Sequence, residues 1–233
     1  LKEMFVSLVT ITFLLNIYSL ITILVRPKIF GVKLFRPMIW NFKLSVLPLI
    51  VLLITIVITF LTRIMVAYGN LNFMYYVGNY IYFIGLLFWL LLLPNSGYLI
   101  TELNLTHREM DEKEVPIWYD IVSILSFSLS GILNTILNIV AVQSLFLIIM
   151  YQRTIHKDYL FLSALVLMLL ISTGIYMGRE IRFNSWDVIH IKSFFSKLKN
   201  HFIIKGKIKN YLLFITFHSV FFMIIYMTFI SLI

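Results

Sequence analysis

Two polar stretches interrupt an otherwise lipid-like chain, and most of the side chains that could do chemistry lie in them. The first, PNSGYLITELNLTHREMDEKEVPIWYD, runs from Pro94 to Asp120. The second, GREIRFNSWD, runs from Gly178 to Asp187. Glu102, Asp120 and Asp187 are the carboxylates that stand apart from a charge run, so each could serve as acid, base or metal ligand. Glu102 sits in the neutral run YLITEL. Asp120 opens an apolar segment, where a carboxylate also complements the helix dipole and caps free N–H groups. Glu109, Asp111, Glu112 and Glu114 read as a solvated charge run. Arg179 and Arg182 are three apart and share a face if the helix continues. Such a pair can grip a phosphate or carboxylate through forked hydrogen bonds. It can equally complement a helix C-terminus and snorkel to lipid phosphates. Asn184, Ser185, Trp186 and Asp187 follow at once. Interface anchoring is the simplest role for Trp118 and Trp186.

His107 is the histidine that lies among these carboxylates, and it could act as a base or supply one nitrogen to a metal. No His-Glu-x-x-His spacing supports a metal, so none is assigned and no cofactor is indicated. His218 lies inside an apolar run, where a neutral histidine bonded to a neighbouring helix competes with a functional role. The Asn104–Thr106 triplet matches a glycosylation sequon by chance if its loop is cytoplasmic. There is no phosphate-binding glycine loop and no nucleophile elbow. Cysteine is absent, which excludes disulfides, thiolate metal sites and cysteine nucleophiles.

The elements that must hold these residues are membrane spans. Of 233 residues, 61% are hydrophobic and only 12% charged, against about 25% charged in soluble domains. A span needs about 20 mostly apolar residues. Six segments qualify and lack Asp, Glu, Lys and Arg: Met4–Val25, Leu44–Leu61, Phe73–Leu93, Ile121–Tyr151, Tyr159–Gly178 and Tyr211–Ile233. The fold class is therefore an all-α, multi-pass transmembrane bundle, read as one integral membrane domain over residues 1–233. The first apolar stretch is too long for a signal peptide and has no small-residue cleavage site.

The net charge of +9 belongs to short loops rather than to a nucleic-acid surface. Lys and Arg concentrate in the first, third and fifth loops; the other side holds only Lys2, Arg63, Arg153 and Lys157. The bias places the odd loops in the cytoplasm and both termini outside a plasma membrane. Between Val188 and Ile204, apolar residues recur at three- and four-residue steps with Lys192, Lys197 and Lys199 between them. This predicts an amphipathic helix in the cytoplasmic interface, drawn to anionic lipid head groups. In the fourth span Ser126, Ser130, Asn134 and Asn138 recur every four residues as one polar stripe. The stripe fits interhelical packing first and a polar path second.

Three blocks, LLPNSGYLITEL (Leu92–Leu103), VPIWYD (Val115–Asp120) and GREIRFNSWD (Gly178–Asp187), carry a resemblance. They resemble a family of bacterial membrane proteins, domain of unknown function 1361. The family pattern looks like Leu-Pro-Asn, then Tyr, then Thr-Asp/Glu-Leu, later Trp-Tyr-Asp, and finally Gly-Arg with Arg-x-Asn-Ser-Trp-Asp. Members often carry a histidine sooner after the acid than His107 stands here. The resemblance implies a polytopic membrane protein and brings no activity. With these blocks in view, Asn95, Tyr98, Asn184 and Trp186 join Arg179 and Arg182 as candidate substrate-binding residues, with Glu102, Asp120 and Asp187 the candidate catalytic ones. Three readings stay open. One is a membrane enzyme acting at the cytoplasmic interface on an anionic amphiphilic or lipid-linked substrate. Another is a transporter or permease-like subunit with the stripe as its path. The third is an accessory scaffold whose cluster is a structural ion-pair network.

Overall fold

A computed structural model describes residues 2–69, 71–104, 115–150, 157–183 and 190–230 of the chain. All elements among the described residues are helical: α1 (Lys2–Phe30), α2 (Arg36–Gly69), α3 (Phe73–Leu92), α4 (Ile117–Met150), α5 (Lys157–Tyr176), α6 (Ile191–Ile203) and α7 (Lys207–Ile230). A short helical turn, Pro94–Gly97, and a 3-10 turn, Tyr98–Asn104, follow α3. A π-turn, Met177–Ile181, follows α5. Six stretches are long and apolar enough to span a membrane, and they fall on the six segments expected from hydropathy. The second span extends beyond its uncharged run at both ends, because Arg36, Lys43 and Arg63 continue the helix. At ~1.5 Å per residue a 34-residue helix exceeds a ~30 Å hydrocarbon core. The helix is therefore longer than the core needs, and Arg36, Lys43 and Arg63 stand toward its two ends.

The residues group into two compact units, Thr12–Val142, and Leu1–Ile11 with Gln143–Ile233. In the first, α2 and α3 pair as a hairpin because small residues let the backbones approach. A side chain at Gly85 would collide with Thr55, and one at Gly78 with Thr62. An apolar cluster of Ile23, Met38, Leu99, Ile124 and Phe127, flanked by Phe35, Ile39 and Phe42, joins α1, α2, the 3-10 turn and α4. Pro94–Asn104 is accordingly no exposed loop: Ser96 and Leu99 are fully buried. Broken helix leaves carbonyls that must find donors in an apolar setting. Ser45 Oγ donates to the Ser96 carbonyl at 3.0 Å, and Ser128 Oγ to that of Leu99 at 3.2 Å. Gly131 permits the approach, since a Cβ there would stand 2.7 Å from Leu99 Cβ and 2.9 Å from the Ser96 carbonyl oxygen.

The polar stripe of α4 is consumed by packing. Asn134 and Asn16 exchange side-chain amide hydrogen bonds at 2.8 and 3.1 Å, and Asn134 Nδ2 also donates to Ser45 Oγ at 3.0 Å. Trp89 Nε1 donates to Asn138 Oδ1 at 2.9 Å, while Asn138 Nδ2 reaches the Asn134 carbonyl at 2.8 Å. Ser126 and Ser130 donate back to the carbonyls of Ser123 and Phe127 in their own helix. In the α4 span 78% of the most apolar window is buried, against 17–33% in the other five. That burial is why α4 carries the polar residues: they bond to protein and not to lipid.

In the second unit, Tyr226 Oη donates to Gln143 Oε1 at 2.8 Å, and Gln143 Nε2 donates to the Leu160 carbonyl and to Ser163 Oγ, both at 2.9 Å. Ser219 Oγ bonds Ser172 Oγ at 3.0 Å across α7 and α5. The amphipathic helix is present as α6; Val188 lies outside the described residues. Its inner face meets the α5–α7 corner through Phe194 stacked on Phe183 at 4.6 Å and Phe202 edge-on to Tyr211 at 5.3 Å. Lys192, Lys197, Lys199 and Phe195 are exposed.

Candidate functional site

α1 carries Arg26 in its last turns and stops where Gly31 takes a positive φ of 65°, its N–H bonded to the Pro27 carbonyl at 2.9 Å. Glycine is the residue that enters this left-handed conformation without steric cost. The connection brings Lys33 and Phe35 back across the end of α1 into α2. Asp120 lies in the first turn of α4, and its Oδ1 accepts a hydrogen bond from Arg26 Nε at 3.1 Å. Arg26 is 7% exposed and Asp120 1%. Tyr119 fixes the same junction, donating to the Thr22 carbonyl at 2.6 Å with its ring edge-on to Phe30. Ser123 Oγ bonds Thr22 Oγ1 at 3.1 Å.

Around the ion pair is a small pocket lined by Arg26, Lys33, Asp120 and Ser123 together with Ile23, Pro27, Leu34, Phe35, Met38 and Ile124. Its interior is about the size of a single water molecule. The lining holds two cations and one carboxylate, surrounded by apolar side chains.

Glu102 occupies a neighbouring position in the same unit. It is 8% exposed, and its Oε1 accepts from Asn41 Nδ2 at 2.8 Å. Asn95 and Tyr98 stand in the turn before it, the Tyr98 N–H donating to the Asn95 carbonyl. Glu102 thus bonds Asn41 on α2, and Asp120 bonds Arg26 on α1. Arg179 and Arg182 belong to the other unit. There the helix widens into the π-turn and ends, with Arg182 left-handed at φ 57° and the Phe183 N–H bonded to the Met177 carbonyl at 3.3 Å. The shared helical face that a continuing helix would give these arginines does not form. Asn184, Trp186, Asp187 and His107 lie outside the described residues. Among the described residues no three His, Asp or Glu side chains gather in metal-binding proximity.

Hydropathy and loop charge give Arg26 and Lys33 only a positive-inside role, and nothing in the sequence around Asn41 marks it. One sequence signal was available: Arg26 ends a long uncharged run, where an arginine must find either water or a counter-charge.

His218, inside α7, directs Nδ1 to the Phe214 carbonyl of its own helix at 3.0 Å and stacks on the Phe214 ring at 3.8 Å. His201 on α6 bonds through Nε2 to Tyr176 Oη at 2.9 Å. Burial first, and then the charge of Lys207, push the His201 pKa below the ordinary histidine value against the opposing pull of Glu180.

The fold and this site define a multi-pass α-helical membrane protein with an ion-paired pocket at one end of its Thr12–Val142 unit. More particularly, the chain belongs to the family described as protein of unknown function (DUF1361), whose model matches residues 40–230. The match begins within α2, so Glu102 and Asp120 lie inside it and Arg26 and Lys33 before it. Neither the curated proteins nor the solved structures contain a match to the chain.

Proposed function

We propose that this protein handles an anionic amphiphile, a lipid or lipid-linked molecule, whose head group enters at the Arg26–Lys33–Asp120 pocket on the cytoplasmic face of the plasma membrane. The observation that carries the reading is the lining itself, two cations and one buried carboxylate set among apolar side chains. Asp120 is the group available for acid–base chemistry there, which makes a membrane enzyme the favoured class. Glu102, held by Asn41, is the second acid of the unit. Asn95 and Tyr98 shape the turn that positions it. Arg179, Arg182, Asn184, Trp186 and Asp187 keep their candidacy by residue type. The bilayer itself is the further partner: α6 presents Lys192, Lys197 and Lys199 beside exposed Phe195, a pattern suited to anionic head groups. Transport is less well supported, because the α4 stripe is spent on interhelical hydrogen bonds. The interruption at Pro94–Asn104 also packs beside the first turns of α2 and not midway along it.

The test is binding of dodecyl phosphate, an anionic amphiphile of minimal head group, to the purified chain. Lys33→Gln leaves the Arg26–Asp120 pair intact and should weaken binding about tenfold, the equivalent of one lost charge-assisted contact. Equal binding by wild type and Lys33→Gln would remove the pocket from consideration. Lipid extracts from cells expressing wild type or Asp120→Asn then report turnover. Extracts identical to each other and to those of cells lacking the protein would sink the enzyme class.

A further inference from the structure

Arg63 is the only charged side chain between Lys43 and Glu102. It sits near the far end of α2, in a stretch whose neighbours are apolar or aromatic. The described carboxylates of its unit, Glu102 and Asp120, stand with Asn41 and Arg26. Asn41 and Arg63 are 22 positions apart on one helix, a rise of ~33 Å. Arg63 therefore has no acid of its own unit, among the described residues, to neutralise it.

The side chain is nevertheless held in a built cradle. Its Nη2 donates to Asn79 Oδ1 on α3. Its guanidinium lies against the Tyr75 ring, with Cζ 4.3 Å from the centroid. The base is closely packed, because Gly78 brings α3 onto Thr62 with no room for a side chain. Two polar atoms of this cradle, Arg63 Nη1 and Thr59 Oγ1, are sealed from solvent and have no hydrogen-bond partner among the described residues. They lie one helical turn apart on the same face of α2. A covered guanidinium N–H without an acceptor is costly. Tyr75, whose ring lies against the guanidinium, is itself 49% exposed.

We propose that Arg63, Thr59, Tyr75 and Asn79 form a binding site for the phosphate of a membrane phospholipid, at the opposite end of the Thr12–Val142 unit from the Arg26–Asp120 pocket. A phosphate supplies both the missing counter-charge and several acceptor oxygens, which can take hydrogen bonds from Arg63 Nη1 and Thr59 Oγ1 together. Tyr68, Tyr76 and Tyr80 are exposed nearby on the same hairpin, and tyrosine favours the depth at which lipid phosphates lie. The lipid, not the soluble ion, is the assigned source, because the flanking surface is apolar and aromatic.

Amide hydrogen exchange on the full chain in detergent micelles tests this, with phosphatidylglycerol, diacylglycerol or inorganic phosphate added in turn. Phosphatidylglycerol should protect residues 59–79, and diacylglycerol of the same acyl chains should not. Arg63→Gln should weaken the phosphatidylglycerol response about tenfold, and Thr59→Val, which keeps the side-chain shape, by a smaller factor. Protection by inorganic phosphate alone would overturn the lipid assignment in favour of a free-anion site. Equal protection by diacylglycerol, or none by phosphatidylglycerol, would overturn the site. If Arg63→Gln fails to fold, the wild-type lipid comparison and Thr59→Val still decide.

Discussion

Arg26 Nε donates to Asp120 Oδ1 across 3.1 Å, tying the last turns of α1 to the first turn of α4 within buried surroundings. Removing one member of a buried pair leaves the other charge uncompensated and costs about 3–5 kcal/mol. Arg26→Gln and Asp120→Asn should therefore each lower the unfolding midpoint of the purified protein markedly. The double variant Arg26→Met with Asp120→Leu should recover most of that loss. If the double variant is as unstable as the sum of the singles, the pair is not a closed unit and each residue has other essential partners.

Asn134 bonds Asn16 and Ser45 at once, so its loss orphans groups on two other helices. Asn134→Ala is expected to destabilise by about 1–3 kcal/mol, while leaving dodecyl phosphate binding intact in the protein that remains folded. Binding lost at normal stability would instead mark the stripe as part of a ligand path. Thermal unfolding and binding measured on the same sample separate the outcomes.

Arg182 adopts φ 57°, a conformation that glycine enters without the ~1–2 kcal/mol cost carried by other residues. Arg182→Gly should raise stability by up to about 1 kcal/mol, and Arg182→Lys should leave it unchanged. If the guanidinium grips a planar anion, both variants lose complementation of a deletion strain at normal abundance. Full complementation by both would leave Arg182 as a helix-end residue alone.

His201 joins α6 to Tyr176, and its pKa lies below the ordinary value because burial and Lys207 disfavour its charged form. The fold thus favours neutral imidazole. Its contribution is fully present above about pH 6.5, the unfolded value, and is lost as pH falls through the lower folded value. Amide exchange in Ile191–Ile203 should accelerate on acidification, and Lys207→Gln should move that transition to higher pH. An exchange rate in α6 flat across this range, after correction for intrinsic chemistry, would show that the His201–Tyr176 contact does not hold α6.

The natural absence of cysteine allows orientation to be read from single introduced thiols. With the odd loops inside, Tyr68→Cys should react with an impermeant reagent applied to intact cells, whereas Trp118→Cys and Lys192→Cys should react only after lysis. The reverse pattern would invert the topology and place the Arg26–Asp120 pocket outside.

The number and order of the spans were legible in the sequence, because transfer into lipid is decided residue by residue and a charge-free run declares itself. The same holds for α6, whose three- and four-residue period is a local property of Val188–Ile204, and for the likeness of its motifs to one family. The partners were not legible. Arg26 looked like one more cytoplasmic cation until α1 and α4 brought it 3.1 Å from Asp120, and Glu102 gave no hint of Asn41. Pro94–Asp120 reads as a polar stretch between two spans; only the packing of Leu99 into the α1, α2 and α4 cluster shows that its first part is buried. Helical continuity beyond Gly178 was equally undecidable, because a π-turn and a left-handed Arg182 have no compositional mark. Hydropathy acts on single residues, whereas an ion pair or a shared amide needs two helices to meet in register, and that meeting is settled only by packing along their whole length.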